Sequence, residues 1–211
     1  MELNEIIYGN PNKNQLLYLT AETFLDSLLP ELKSFPPNSN DDENTATELE
    51  LIKTHVTVLS QTTDDITKAL TYDASFEKYI VEKLGEYDSV EQDIVELHKD
   101  IMPLCMKLKF NYGRIRPFQL ASLKKLDLVP FKSYTSDSPS YPSAHAFQAK
   151  VYAEVLGNKY PKFYRALQTL AEDIAKSRTH LGVNYPSDVE FGIYCADVVL
   201  NHPDFRKKYK L

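Results

Sequence analysis

The sequence predicts an all-α protein, and three observations support this fold class. Apolar residues recur at intervals of three and four along several stretches, which is the spacing of one face of an α-helix. Almost no stretch shows the strict alternation of apolar and polar residues that a half-buried β-strand needs. The length of 211 residues suits one globular domain with a substantial core. We therefore expect a single-domain helical bundle over residues 1–211, with its core at about 90–200 and N-terminal helices within 1–89.

The N-terminal part of the chain is predicted to form three or four helices. The first helix is predicted over Lys13–Leu32. Ser34–Asp42 is rich in Pro, Asn and Asp, so it is predicted to be a loop that caps the next helix, near Thr45–Leu59. One or two further helices are predicted over Thr63–Leu84.

The strongest helical periodicity lies in the middle of the chain. One apolar stripe is formed by Ile94, Leu97, Ile101, Leu104 and Leu108. Pro103 should bend this helix, and Lys109 comes at its C-terminal end. Leu126–Tyr141 contains two prolines and five Ser or Thr residues, so we expect an irregular connection rather than a domain linker.

Three helices are predicted in the C-terminal part. The first begins at residues 142–145 and ends at about Leu156, the second covers Lys162–Arg178, and the third runs from Pro186 to about Leu200. Proline at the start of the third helix fits the first helical position, where no backbone N–H is needed.

Two of these helices carry a charged residue on the face that should be buried. Arg178 continues an apolar series made by Phe163, Leu167, Leu170 and Ile174. Asp188 begins another series, with Gly192, Cys195 and Val199. An unpaired buried charge is costly, so each residue needs a partner or an anionic ligand. A salt bridge between Arg178 and Asp188 that only joins the two helices is the alternative interpretation.

Composition limits the class of protein. Hydrophobic residues make up 43% of the chain and charged residues 26%, and no apolar run approaches the roughly 18 residues of a membrane span. Residues 1–5 lack the start of a secretion signal. We expect a soluble, cytoplasmic protein without membrane insertion, in which Cys105 and Cys195 are buried free thiols. The net charge of -6 gives no support for a nucleic-acid partner.

Three polar clusters follow one another between residues 109 and 188. They are Lys109 with Arg116-Pro117, then Pro142-Ser143-Ala144-His145, then Ser177-Arg178 with Asn184 and Asp188. The basic side chains would supply fixed positive charge, and a helix start at Ser143 would supply backbone donors for a phosphate. The alternatives are an ordinary serine N-cap with His145 in solvent, and a solvated basic face. For Arg114 we expect the solvated face.

Taken together and in order, the clusters resemble the three motifs of the type 2 phosphatidic acid phosphatase superfamily. That superfamily also contains the bacterial class A acid phosphatases and the vanadium haloperoxidases, and this chain resembles a soluble member similar to the class A acid phosphatases. The resemblance implies the helical fold of that superfamily and a phosphohistidine mechanism acting on phosphate monoesters or diphosphates. It implies that phosphate is held by Lys109, Arg116, Ser143, Ala144 and Arg178. It further implies that His145, whose unperturbed pKa would be near 6.5, is the general acid and that Asp188 orients the nucleophile.

The chain departs from the superfamily pattern at the nucleophile. Asn184 occupies the position of the nucleophilic histidine, and a carboxamide nitrogen is not basic. Three explanations are open: a substitution introduced to hold ligand without cleavage, which we favour, a natural inactive homologue, or rescue by His180. Smaller departures are Ala144, where the family usually has Gly, and Ala146, where the acid phosphatases tend to have Ser or Thr.

The resemblance also bears on cofactors, substrates and alternatives. His55, His98 and His202 lack neighbours at metal-ligand spacing, and the family is independent of divalent ions, so we expect no cofactor, with vanadate only as a phosphate mimic. The expected partner is a small phosphorylated substrate, and homo-oligomerisation is left open. The alternative functions are a vanadium-dependent haloperoxidase-like protein and a noncatalytic phosphate-binding protein.

Overall fold

The fold consists of helices and loops. A computed structural model describes residues 2–85 and 87–211, with the side chains of all of these except residues 87 and 88. The α-helices in this part of the chain are α1 Lys13–Thr20, α2 Leu29–Leu32, α3 Glu43–Leu59, α4 Thr63–Leu84, α5 Tyr87–Tyr112, α6 Pro117–Leu123, α7 Ala144–Lys159, α8 Tyr164–His180, α9 Pro186–Asn201 and α10 Pro203–Tyr209. No β-strand occurs among the described residues, and the predicted all-α fold class is confirmed.

The prediction of one helix over Lys13–Leu32 is wrong. Helix α1 ends at Thr20, and Ala21 and Thr23 have extended backbone conformations. A 3₁₀ turn at Phe24–Leu28 then leads into the single turn of α2. The apolar spacing continues through the break, which explains why periodicity alone joined the two pieces.

Two short helices were not predicted from the sequence. Helices α6 and α10 have seven residues each, too short for a periodic pattern to develop. Both start with proline at the first helical position after an N-cap residue in an extended conformation. That proline signal, applied to Pro117 and Pro203 as it was to Pro186, would have found them.

Helix α4 is interrupted in its middle. Ser75 has φ -172° and ψ 70°, outside the helical region, although residues on both sides of it are helical. The interruption falls within the segment for which one or two helices were predicted, and it follows Asp73 by two residues. Because a helical carbonyl normally accepts from the residue four positions on, a break here frees backbone acceptors for other partners.

The core is built around α7, which packs against α5, α8 and α9. The largest apolar cluster runs from Leu25 near the N-terminus to Phe205 in α10, and it contains both cysteines as free buried thiols, as expected. Helix α9 approaches the start of α7 closely: a Cβ atom added to Gly192 would lie 2.6 Å from the carbonyl oxygen of Ser143. Glycine therefore permits the contact that brings the first turns of α7 and α9 together. No helix in the described part of the chain is both long and apolar enough to cross a membrane.

Candidate functional site

The three predicted clusters meet at one end of the helical core. Lys109 lies in the last turn of α5, Ser143 caps the start of α7, Arg178 lies in the last turn of α8, and Asp188 lies in the first turn of α9. The backbone N–H of Ser143 donates to the carbonyl oxygen of Asp188 at 2.8 Å, so the second and third clusters are joined directly. Exposed fractions are 1% for Lys109, 2% for Arg116 and 1% for Arg178. The site therefore contains long cationic side chains that water does not reach.

Asn184 and Asp188 form the centre of this arrangement. Asn184 Nδ2 donates to Asp188 Oδ2 at 3.1 Å and to the carbonyl oxygen of Ser140 at 2.8 Å. Asn184 Oδ1 accepts from Arg116 Nη1 at 3.3 Å. Asp188 Oδ2 also accepts from the backbone N–H of Tyr185 at 2.8 Å and from the hydroxyl of Ser140. The side chain at position 184 is thus held between a carboxylate and a guanidinium.

Arg114, expected on a solvated face, is instead buried, and that prediction is wrong. Its Nη1 lies 2.7 Å from Asp188 Oδ1 and 2.8 Å from Ser187 Oγ, and its Nη2 lies 3.1 Å from Glu48 Oε2. Its guanidinium also stacks over the ring of Tyr185, 3.8 Å from the ring centroid. These contacts raise the pKa of Arg114 despite its burial, the carboxylate of Asp188 being the main cause of the rise. Arg114 is therefore the ion-pair partner of Asp188.

Within the part of the chain that the structure describes, no carboxylate forms an ion pair with Lys109 or Arg116. Lys109 Nζ donates to the carbonyl oxygens of Pro139 and Ser140, at 2.6 and 3.4 Å, and Arg116 Nε donates to the carbonyl oxygen of Ser138 at 2.8 Å. Neither takes part in any of the ion pairs that the described residues form. Burial and the nearby Arg116 lower the pKa of Lys109 to about 7, and burial and Arg178 lower the pKa of Arg116 to about 10.

Arg178 points inward as its periodicity predicted, but its partner is Asp73 in α4. The alternative of a salt bridge between Arg178 and Asp188 is not observed, because Arg178 Nη1 lies 2.6 Å from Asp73 Oδ1. The Asp73 carboxylate also accepts from Ser133 Oγ and Tyr134 N, both at 2.7 Å. Burial would raise the pKa of Asp73, but Arg178 and these donors lower it to about 2. Arg178 Nε is buried and has no acceptor among the described residues.

Asp73 was missed by sequence reasoning. It stands within a predicted helix, and neither proline nor glycine marks the interruption at Ser75 that follows it. The one signal in the sequence was an acidic residue next to Tyr72 and three positions before Phe76, on the side of the helix that apolar residues bury.

His145 lies beside Asp73 and Arg178 and is half-buried rather than in open solvent. Its Nε2 lies 3.2 Å from the backbone carbonyl oxygen of Asp73, a contact in which the ring N–H donates. Burial and the positive charge of Arg178 hold the pKa of His145 well below its ordinary value, which overturns the expectation of an unperturbed pKa near 6.5. Ser143 is indeed the N-cap of α7, since its Oγ accepts from Ala146 N at 3.4 Å.

The charges in this part of the molecule do not cancel. The four buried cations are Lys109, Arg114, Arg116 and Arg178, and the three carboxylates paired with the arginines are Glu48, Asp73 and Asp188. With Lys109 protonated, these seven groups carry one excess positive charge. A further carboxylate near Arg116, that of Asp137, is exposed to solvent. An anion with several oxygen atoms would stabilise the excess positive charge most simply, because carbonyl oxygens accept from only some of the N–H groups of these cations.

A cavity of about 360 Å³ adjoins this cluster, and Lys109, Ala144 and His145 contribute to its wall. His180 lies elsewhere. It packs edge-on against His55, with ring centroids 4.8 Å apart, and lines a separate cavity of about 340 Å³ that shares no residue with the first. The hypothesis that His180 replaces the missing nucleophile gains no support from this placement. Within the described residues, no group of three or more His, Cys, Asp or Glu side chains is arranged to hold a metal ion.

Comparisons with known proteins show which family and which solved structure this chain is similar to. The family model of the PAP2 superfamily matches residues 101–201, and no curated protein matches the chain. Among solved structures, a transmembrane PAP2-type phosphatidylglycerolphosphate phosphatase from Bacillus subtilis matches with 16% sequence identity and a TM-score of 0.38. The match covers 86% of this chain and 76% of that one. The matched segment contains all three motifs from Lys109 to Asp188, and residues 101–201 of this chain belong to the PAP2 superfamily, the type 2 phosphatidic acid phosphatases.

Proposed function

We propose that this protein binds the phosphoryl group of a phosphate ester between Lys109, Arg116, Ser143 and Arg178, as a member of a family of phosphoric ester hydrolases. One observation supports this most strongly: Lys109 and Arg116 are buried cations that pair with no carboxylate of the described residues and donate to carbonyl, carboxamide and hydroxyl oxygens. A phosphate dianion supplies both the missing charge and enough acceptors for their N–H groups. It would also provide an acceptor for Arg178 Nε.

The same groups would act on the transition state of phosphoryl transfer. Negative charge then spreads over the equatorial oxygens, and fixed cations in a site without water stabilise it strongly. Because these cations are part of the protein, we propose that the reaction needs no metal ion. Vanadate, which has a similar shape and charge, should bind in the same place.

His145 is the proposed general acid. Its low pKa arises from burial and from Arg178, and a bound dianion opposes both effects by favouring the imidazolium. Ligand binding would therefore be accompanied by protonation of His145, which places a proton beside the leaving oxygen. The backbone carbonyl of Asp73, 3.2 Å from Nε2, fixes the orientation of the ring.

Asn184 is the proposed reason for weak turnover. Its nitrogen lone pair is delocalised into the carbonyl group, so it cannot attack phosphorus as an imidazole does. Asp188 accepts from Asn184 Nδ2 at 3.1 Å and could hold an imidazole N–H at position 184 in the same way. We propose that the chain as it stands binds substrate and is impaired in the chemical step.

The test is hydrolysis of p-nitrophenyl phosphate with a chelator present, by the unchanged chain and by Asn184→His. Asn158→His serves as a matched control, because Asn158 is exposed on α7. We expect activity in Asn184→His alone, and a loss of about 10²- to 10⁴-fold when His145→Gln is added to it.

Other outcomes have distinct meanings. Phosphate binding without activity in Asn184→His would indicate a noncatalytic phosphate-binding protein. Activity of the unchanged chain would require another nucleophile. If none of the variants bound phosphate or vanadate, the proposal would be wrong. The cytoplasmic location stays a prediction from the sequence, to be tested by fractionation.

A further inference from the structure

The cavity beside Lys109 and His145 extends away from the phosphate site to residues outside the three motifs. Helix α1 contributes Gln15 and Tyr18 to its wall, and α4 contributes Phe76 and Glu77. His98 and Gln148 complete it from α5 and α7. At about 360 Å³ it falls within the range of small-ligand pockets. A group esterified to a phosphate at Lys109 would have to lie in this space.

On one wall of the cavity, hydrogen bonds link Gln148 to His98 and His98 to Tyr18, and they leave the hydroxyl proton of Tyr18 free to donate to a ligand. Gln148 Nε2 lies 3.0 Å from His98 Nδ1, and because an amide N–H only donates, Nδ1 is the acceptor. The proton of the neutral ring is therefore on Nε2, which lies 3.1 Å from the hydroxyl of Tyr18 and donates to it. Burial lowers the pKa of His98, which favours this neutral form. The hydroxyl proton of Tyr18 is then available to a ligand.

The cavity wall also contains hydrogen-bond acceptors, which are carboxylates. Glu77, which is half-buried, and Asp137 both line the cavity. Asp137 is held in place by Asn12 Nδ2, 3.3 Å from its Oδ2, and by Gln15 Nε2, 2.8 Å from its carbonyl oxygen. Burial raises the pKa of Glu77, but both carboxylates, when ionised, disfavour a second anionic group in this cavity and readily accept from hydroxyl groups.

The remaining wall is apolar but small. Phe76 packs beside His145, with ring centroids 5.4 Å apart, and Met102 and Met106 lie at the cavity surface. An aromatic ring and thioethers can cover one face of a sugar-sized ring, whereas an acyl chain would leave the polar groups of Tyr18 and Glu77 without partners.

We propose that this cavity is the leaving-group subsite and that it takes an uncharged, polyhydroxylated group of the size of a hexose. The inference rests on the proposed function, because it places the phosphate at Lys109. It narrows the substrate class from phosphate esters in general to sugar-like monoesters, and it disfavours alkyl phosphates and bisphosphates.

Calorimetric titration of the unchanged chain with four probes tests this assignment: inorganic phosphate, fructose 6-phosphate, hexyl phosphate and fructose 1,6-bisphosphate. The three esters share six carbon atoms and differ in hydroxyl groups and charge. We expect fructose 6-phosphate to bind most tightly. Tyr18→Phe and Glu77→Gln should each weaken it about fivefold, the ratio that corresponds to one net hydrogen bond, without changing the affinity for inorganic phosphate. Glu82→Gln, an exposed change on the same helix as Glu77, should have no effect.

The outcomes separate the two proposals. If inorganic phosphate binds but hexyl phosphate binds as tightly as fructose 6-phosphate, the phosphate site stands and the subsite assignment is overturned. The same holds if Tyr18→Phe and Glu77→Gln leave the affinity for fructose 6-phosphate unchanged. If neither inorganic phosphate nor any ester binds, both proposals are wrong.

Discussion

Lys109 should make anion binding depend on pH in a range where few other groups of the site titrate. Its pKa is lowered to about 7 by burial and by the neighbouring charge of Arg116. At pH 9, two units higher, roughly one molecule in a hundred keeps the proton. If only the protonated form binds, the apparent affinity falls in proportion to that fraction. Relative to its value well below pH 7, the affinity for an anion should therefore fall about tenfold by pH 8 and about 100-fold by pH 9.

Sulfate is the suitable probe, because it carries the same charge throughout this range whereas phosphate itself titrates. Calorimetric titrations at pH 6, 7, 8 and 9, at constant ionic strength, would give the dependence. A bound dianion also favours the imidazolium of His145, so the same titrations on His145→Gln separate its protonation from that of Lys109; the slope above pH 7 should persist in this variant.

Two variants identify the titrating group. Lys109→Gln should bind sulfate more weakly and with no slope between pH 7 and 9. Lys107→Gln should keep the slope, because Lys107 lies on the same helix but pairs with Asp26, 2.7 Å away. An affinity that is constant between pH 7 and 9 in the unchanged chain, or a slope that persists in Lys109→Gln, would refute the reasoning.

Two further predictions concern stability. Arg114→Leu should lower the free energy of unfolding by about 3–5 kcal/mol, because it leaves the fully buried carboxylate of Asp188 without its ion-pair partner. Urea denaturation measures this loss, with the exposed change Arg165→Leu as the control. A loss below about 1 kcal/mol would contradict the prediction. Gly192→Ala should lower the free energy of unfolding by about 1–3 kcal/mol and weaken phosphate binding, because its Cβ would lie 2.6 Å from the carbonyl oxygen of Ser143 and displace the start of α7. Thermal unfolding and phosphate titration, each compared with the unchanged chain, would test this. Equal values in both chains would show that the two helices adjust without cost.

The helical spacing of apolar residues predicted which side chains of the site point into the core. Arg178 was expected to point inward because it continues an apolar helical series, and it is 1% exposed. Asp188 was expected to be buried for the same reason, and its exposure is 0%. In both cases a residue four positions away on the same helix already fixed the direction of the side chain.

Partners that are distant in sequence could not be predicted in this way. Arg114 looked like part of a solvated face because its two carboxylate partners, Glu48 and Asp188, lie 66 and 74 positions away. Asp73 pairs with Arg178 across 105 positions, and it lies two residues before the break in α4. The sequence shows that Arg114 and Asp73 are charged, but their ion-pair partners depend on how the helices pack against one another.

The counterions also show that the three motifs depend on residues outside the matched segment. Glu48 and Asp73 both lie before residue 101, where the matched segment begins, yet they neutralise arginines inside it. A fragment cut to residues 101–201 would have to bury Arg114 with one carboxylate fewer and Arg178 with none. Helices α3 and α4 therefore supply counterions to buried motif arginines, and a shortened chain that keeps this charge balance must include α3 and the first half of α4.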